Sequence, residues 1–137
     1  MKLTCIQPGE KQKLTGNAGS LVLTLQYGEF DMLFTGDVEE EGEELLIKAL
    51  EGKHYEVLKV AHHGSNSSTK EEFLQEVRPK FALISSGVEN AYGHPHPDVI
   101  ERLKKKGCGI YETAKKGAIT LQTNGNSLTI SLLPYRL

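Results

Sequence analysis

Hydrophobic and polar positions along the chain change period several times, and each change marks an element. Leu3 to Ile6 reads as a short strand, and Lys11 to Gly19 as a loop with Gly16, Asn17 and Gly19 as turn residues. From Ser20 to Gln26, Leu21, Leu23 and Leu25 alternate with Ser20, Thr24 and Gln26, the pattern of a half-buried strand. Tyr27-Gly28-Glu29 reads as a hairpin turn into a second apolar strand, Phe30 to Phe34. The period then becomes helical over Glu39 to Leu50, with Leu45, Leu46, Ala49 and Leu50 as the stripe and Glu39, Glu40 and Glu41 at the favourable end of the dipole.

Strand, helix and strand then recur. Glu56 to Ala61 is a strand. Thr69 to Val77 is a helix, with Thr69 and Glu72 at capping-box spacing and Pro79 as its stop. Phe81 to Ser85 is a buried strand. Pro97 to Lys106 is a helix with Val99, Ile100 and Leu103 facing inward and Gly107 as its cap. Gly109 to Glu112 is a short strand. Ala118 to Thr123 and Ser127 to Leu133 flank Asn124-Gly125, a strong hairpin signal. The sum is one α/β domain, α+β layered, with a mixed sheet.

Composition narrows the class. The chain has 137 residues, enough for one domain with a real core. A formal charge of −2 gives no global attraction to nucleic acid or anionic membrane, so a polyanionic substrate would need local groups or metal ions. No apolar run approaches the ~18 residues of a membrane span, and residues 1–6 lack a signal peptide's apolar region. This piece is therefore expected to be soluble. Cys5 and Cys108 form no metal-binding spacing and read as small buried hydrophobes.

The chemistry-bearing residues fall at strand ends. Thr35-Gly36-Asp37 closes the strand before the first helix. There Asp37 reads either as a helix cap or as a ligand for zinc or manganese. His62-His63-Gly64-Ser65 follows the strand ending at Ala61. Adjacent side chains of extended backbone point to opposite faces. One imidazole is therefore expected to coordinate while the other contacts substrate. Gly64 and Ser65, with Asn66-Ser67-Ser68, form a polar loop able to offer backbone N–H groups to a phosphate, or simply feed the next helix. In Gly93-His94-Pro95-His96-Pro97, His94 reads as a proton donor, phosphate contact or ligand, and His96 as a helix cap. Asn90 and Tyr92 line the same loop. His54 reads as solvated. Lys104, Lys105, Lys106, Lys115 and Lys116 read as a solvated helix end and turn.

Taken together, Leu33-Phe34-Thr35-Gly36-Asp37, Leu58 to Ser65, Ile84-Ser85 and Asn90 to Pro95 resemble the C-terminal metallo-β-lactamase-like domain of ComEC-type competence proteins. The resemblance implies an αββα sandwich, present here as its second half with helices on one face of the sheet. It implies Asp37 and His62 as metal ligands and a role near the site for His94; the residues themselves are read as adding His94 and His63 as catalytic groups and Gly64, Ser65 and Asn90 as substrate contacts. The implied cofactor is a divalent metal, zinc or manganese. The implied activity is two-metal phosphodiester hydrolysis, with single-stranded DNA as substrate. The family's early HxHxDH cluster is absent, and residues 1–53 contain no histidine. The fragment alone is therefore expected to bind metal weakly or not at all and to lack substantial nuclease activity. The partners implied are the missing N-terminal half, a membrane-spanning channel portion of the same polypeptide with this domain outside the cytoplasm, and a second copy of the fragment. Two other readings stand beside this one: a non-catalytic DNA-binding or interaction module, and a phosphorylcholine-esterase-like hydrolase of the same fold.

Overall fold

The structure, a computed structural model, describes residues 1–9 and 14–135. Eight strands and four helices follow in the order β1 (Lys2–Gln7), β2 (Val22–Tyr27), β3 (Phe30–Phe34), α1 (Glu40–Leu50), β4 (Val57–Lys59), α2 (Glu71–Val77), β5 (Phe81–Ile84), α3 (Pro97–Lys105), β6 (Gly109–Glu112), α4 (Thr113–Lys116), β7 (Ala118–Thr123) and β8 (Leu128–Leu133). One-turn 3₁₀ segments span Gly16–Gly19 and Ala61–Gly64. Of the expected loop at 11–19, residues 11–13 lie outside the described residues.

Strands β1 to β6 form one sheet in sequence order. The pairs β1–β2 and β2–β3 are antiparallel; β3–β4, β4–β5 and β5–β6 are parallel. Three successive right-handed crossovers advancing in one direction place α1, α2 and α3 on the same face. There Val38, Leu46, Phe73, Leu74, Val99 and Leu103 bury themselves against Leu33, Leu58, Ala82 and Ile84. The β7–β8 hairpin covers the opposite face, where Leu121 and Leu128 rest on Phe30, Met32 and Val57. Its turn abuts the β2–β3 turn: the Glu29 amide donates to the Gly125 carbonyl at 2.6 Å. A Cβ on Gly28 would lie 2.7 Å from that carbonyl oxygen, so the close approach requires glycine. Among the described residues no helix is long and apolar enough to cross a membrane.

The structure departs from the sequence reading in several places. Strand β2 turns Val22 and Thr24 into the helix-side core and leaves Leu23 and Leu25 half-buried, because both faces of the sheet are covered. Leu21, outside the strand, is exposed. In α1 the buried stripe is Gly42, Glu43, Leu46 and Leu50, and Ala49 faces solvent. Cys5 is exposed, because β1 is an edge strand, and Cys108 is half-buried.

The capping box at Thr69 does not form. Helix α2 starts at Glu71, Thr69 has a left-handed φ of 57°, and its hydroxyl has no hydrogen-bond partner. The segment leading into the helix is held by another helix instead. The buried Glu43 carboxylate accepts the Thr69 amide through Oε1 and the Lys70 amide through Oε2 at 3.0 Å. A carboxylate offers two charged acceptors where a hydroxyl offers one weaker one. From the other side, Arg102 of α3 donates to the carbonyls of Thr69 (3.0 Å) and Ser68 (3.1 Å) and to Asn66 Oδ1 (3.2 Å). The loop between β4 and α2 is thus gripped between α1 and α3.

Burial raises the Glu43 pKa, opposed by the amides of Lys70 and Thr69 and by the charges of Lys70 and Arg102. Two predictions follow from this clamp. Glu43→Ala leaves two buried amides unpaired and should cost about 2–4 kcal/mol in urea unfolding. A carboxyl whose folded pKa exceeds its unfolded value of about 4.3 stabilises below that pH and loses its contribution as pH rises through the folded value. The stability difference between the native chain and Glu43→Gln should therefore shift in the variant's favour from about pH 4 to pH 7.

Candidate functional site

The carboxyl ends of β3, β4 and β5 lie side by side, and the loops that leave them carry the acidic and imidazole side chains. Each loop is fastened to the next. The buried Thr35 hydroxyl donates to the Lys59 carbonyl at 2.6 Å, joining the ends of β3 and β4. The His62 amide donates to the Gly36 carbonyl at 3.0 Å, and the Val60 amide to the Leu83 carbonyl at 2.9 Å. The Asp37 amide donates to Ser20 Oγ at 3.3 Å. Asp37 does not cap α1: the cap position is Glu39, and no side chain caps the helix there.

The two adjacent histidines are not extended. His62 and His63 have φ values of 46° and 55°, consecutive left-handed residues. This conformation costs non-glycine residues about 1–3 kcal/mol each and is held by the bonds around it. It overturns the expectation of opposed side chains, for the two ring centroids lie 6.4 Å apart.

Each imidazole is oriented by an acceptor. His62 Nδ1 lies 2.7 Å from Glu39 Oε1. That carboxylate also accepts the Ser67 hydroxyl and, at 3.1 Å, Asn17 Nδ2. The Ser67 bond, with those of Asn17 and His62 and the His62 charge, holds the Glu39 pKa below the usual range against the opposing effect of burial. His63 Nδ1 lies 2.7 Å from the Ser85 carbonyl. A carbonyl and an ionised carboxylate can only accept, so Nδ1 carries a proton in both rings, and in the neutral imidazole the lone pair lies on Nε2. His63 Nε2 faces Asp37 Oδ1 at 4.0 Å. That separation is too long for a hydrogen bond. The sequence reading paired Asp37 with His62; the structure brings Asp37 to His63 and gives His62 to Glu39.

His94 completes the group, its ring 5.7 Å from that of His62. Its Nδ1 is buried and has no hydrogen-bond partner. Burial lowers its pKa, and the charges of His62, His63 and His96 lower it further. Burial likewise lowers the pKa of Lys59, opposed by the Asp37 charge.

The residues expected to touch substrate are hydrogen-bonded within their loops. Asn90 Oδ1 accepts the His94 amide at 2.9 Å, while Nδ2 donates to the carbonyls of His94 (2.6 Å) and Gly87 (3.0 Å). Asn90 therefore positions His94. The Ser65 amide donates to the His62 carbonyl, the Ser68 amide to the Ser65 carbonyl, and the Ser67 amide to Ser65 Oγ. Those donors are engaged inside the loop. Gly64 is buried, and its carbonyl accepts the His96 amide at 2.8 Å. His96 Nδ1 accepts the Asp98 amide and so caps α3. His54 is exposed.

Sequence reasoning missed Glu39, which it took for a helix-dipole charge. Only its place two residues after Asp37 hinted otherwise. Among the described residues no three His, Cys, Asp or Glu side chains converge closely enough to hold a metal ion. Asp37 with His63, and the free Nε2 of His62, supply the right donor types, and their Nδ1 partners are of the kind that orient metal-binding imidazoles.

Gly64 has φ +84°, and a Cβ there would lie 2.6 Å from Pro95 Cβ. Gly64→Ala should therefore lower stability by about 1–3 kcal/mol and push the His94 loop outward. Thermal unfolding and the His94 ring resonances would register both effects.

No protein-family model matches the chain. It is similar to ComE operon protein 3 of Bacillus subtilis, 36% identical over 129 residues, which is 94% of this chain and 17% of that protein. It is 38% identical over 115 residues to competence protein ComA of Neisseria gonorrhoeae, covering 83% of this chain and 17% of that protein. It is 41% identical over 103 residues to recombination protein 2 of Haemophilus influenzae, covering 75% of this chain and 13% of that protein. The chain thus spans between 13% and 17% of the length of these relatives.

Proposed function

We propose that this chain is part of a metal-dependent phosphodiesterase domain in a bacterial competence protein, acting on the DNA strand that is not imported. One observation carries the reading. Asp37, His62, His63 and His94 meet at the ends of adjacent parallel strands, with both adjacent imidazoles oriented by acceptors at Nδ1. The similarity to a named competence protein over 83% of the chain supports the biological setting. The helices, sheet and hairpin suit one half of a metallo-β-lactamase-like sandwich.

In this reading Asp37 and His62 would contribute ligands to a divalent metal site, zinc or manganese, with His63 beside them, and an N-terminal segment of the longer parent would supply the remaining donors. When bound, the ion supplies Lewis acidity and an acidified water. The chain's own residues provide the rest. Glu39 and the Ser85 carbonyl fix the two imidazoles. Asn90 sets the position of His94, which stands beside them to pass a proton to the departing oxygen. The parent is membrane-associated through segments outside this chain. A second copy is a further partner, tested by the oligomeric state in solution.

The test is made in the full-length protein. Asp37→Ala and His62→Ala should each abolish metal-dependent cleavage of single-stranded DNA while circular dichroism stays unchanged; activity surviving both changes would sink the proposal. Glu39→Gln, which keeps the shape but weakens the acceptor, should reduce metal affinity by about 10–100-fold in calorimetry. DNA binding that needs no metal, without hydrolysis, would instead favour a non-catalytic module. Cleavage restricted to phosphorylcholine esters would favour a different hydrolase of the same fold.

A further inference from the structure

Tyr92 is 82% exposed, yet it is not loose. Its ring lies nearly parallel to that of His94, at 21° with centroids 5.9 Å apart. The loop beneath it is fastened by the three Asn90 side-chain bonds and by the Gly93 amide donating to the Asn90 carbonyl at 3.1 Å. A large aromatic ring held in water on a braced loop loses hydrophobic burial with no structural return.

A small cavity of about 200 Å³ opens beside it, lined by His63, Ser86, Gly87, Asn90, Tyr92 and His94. Its surface is almost wholly apolar, so it does not suit a phosphate. Two of its lining residues carry buried polar atoms without partners, Ser86 Oγ and His94 Nδ1. Ser86 is itself immobilised: Thr113 Oγ1 accepts its amide and donates to its carbonyl, both at 3.0 Å.

We propose that this cavity marks a nucleobase subsite, in which one base of a single-stranded nucleic acid stacks on Tyr92. A flat aromatic wall suits the face of any base. A base there would set its own phosphate near His62, His63 and Asp37. The subsite rests on the reading of the site as one for DNA, and it deepens that reading by naming how the strand is held. An aliphatic side chain of a protein partner would find the same apolar walls but could not stack on the ring.

The test uses the chain with chelator present, titrated with a short single-stranded oligonucleotide and with the same strand carrying one abasic position. The native chain should bind the base-bearing strand roughly tenfold more tightly than the abasic one, with the Tyr92 ring resonances moving upfield. Tyr92→Ala should erase that preference, and Tyr92→Phe should keep it. Binding by the native chain that Tyr92→Ala leaves unchanged would overturn the subsite and spare the DNA reading. Equal loss in Tyr92→Phe and Tyr92→Ala would overturn stacking as its basis. No binding of either strand by the native chain would overturn the subsite, whereas the hydrolytic reading stands or falls on the full-length protein.

Discussion

Parallel strands cannot be joined by a tight turn; each must be followed by a crossover that returns the chain to the same starting edge. That constraint organises this molecule. With β3, β4, β5 and β6 laid down in order, three crossovers of one hand put three helices on one face and three outgoing loops at one edge. Asp37, the adjacent histidines and His94 are separated by many residues in sequence, but each follows the end of one of these strands. Their meeting is a consequence of topology before it is one of chemistry, and open sheets of this kind hold ligands at that edge.

Position alone would leave the rings free to turn. What fixes them is a set of acceptors drawn from the neighbouring loops: Glu39 for His62, the Ser85 carbonyl for His63, and Asn90 for the backbone of His94. The loop after the histidines is held in its turn by Glu43 and Arg102, which reach in from separate helices. The helical layer therefore does more than cover the sheet. It secures the segment from which the imidazoles project, so that disturbance of the core is transmitted to the site.

Much of this was legible in the sequence, for identifiable reasons. Strand β3 matched its expected limits, and the β7–β8 hairpin was announced by Asn124-Gly125, because turn chemistry and period act locally. Asp37, His62, His63 and His94 stood out because polar, titratable residues at strand ends have few purely structural uses. The failures share one cause: they involve partners distant in sequence. Thr69 has the right spacing for a cap, but no side chain caps the helix, and its own amide is held by Glu43, 26 residues earlier. Val22 and Thr24 face the helices because a second layer, far along the chain, buries the other side of β2. The left-handed turn at His62-His63 had no local signal, since neither residue is glycine and the bonds that hold it come from Gly36, Glu39 and Ser85.

That turn narrows which residues can occupy the two positions at all. β-Branched side chains are the worst suited to consecutive positive φ angles, so valine, isoleucine and threonine are disfavoured at 62 and 63 on backbone grounds, whatever chemistry they might offer. The main chain filters the alphabet first, and any function selects only from what the peptide geometry has already admitted.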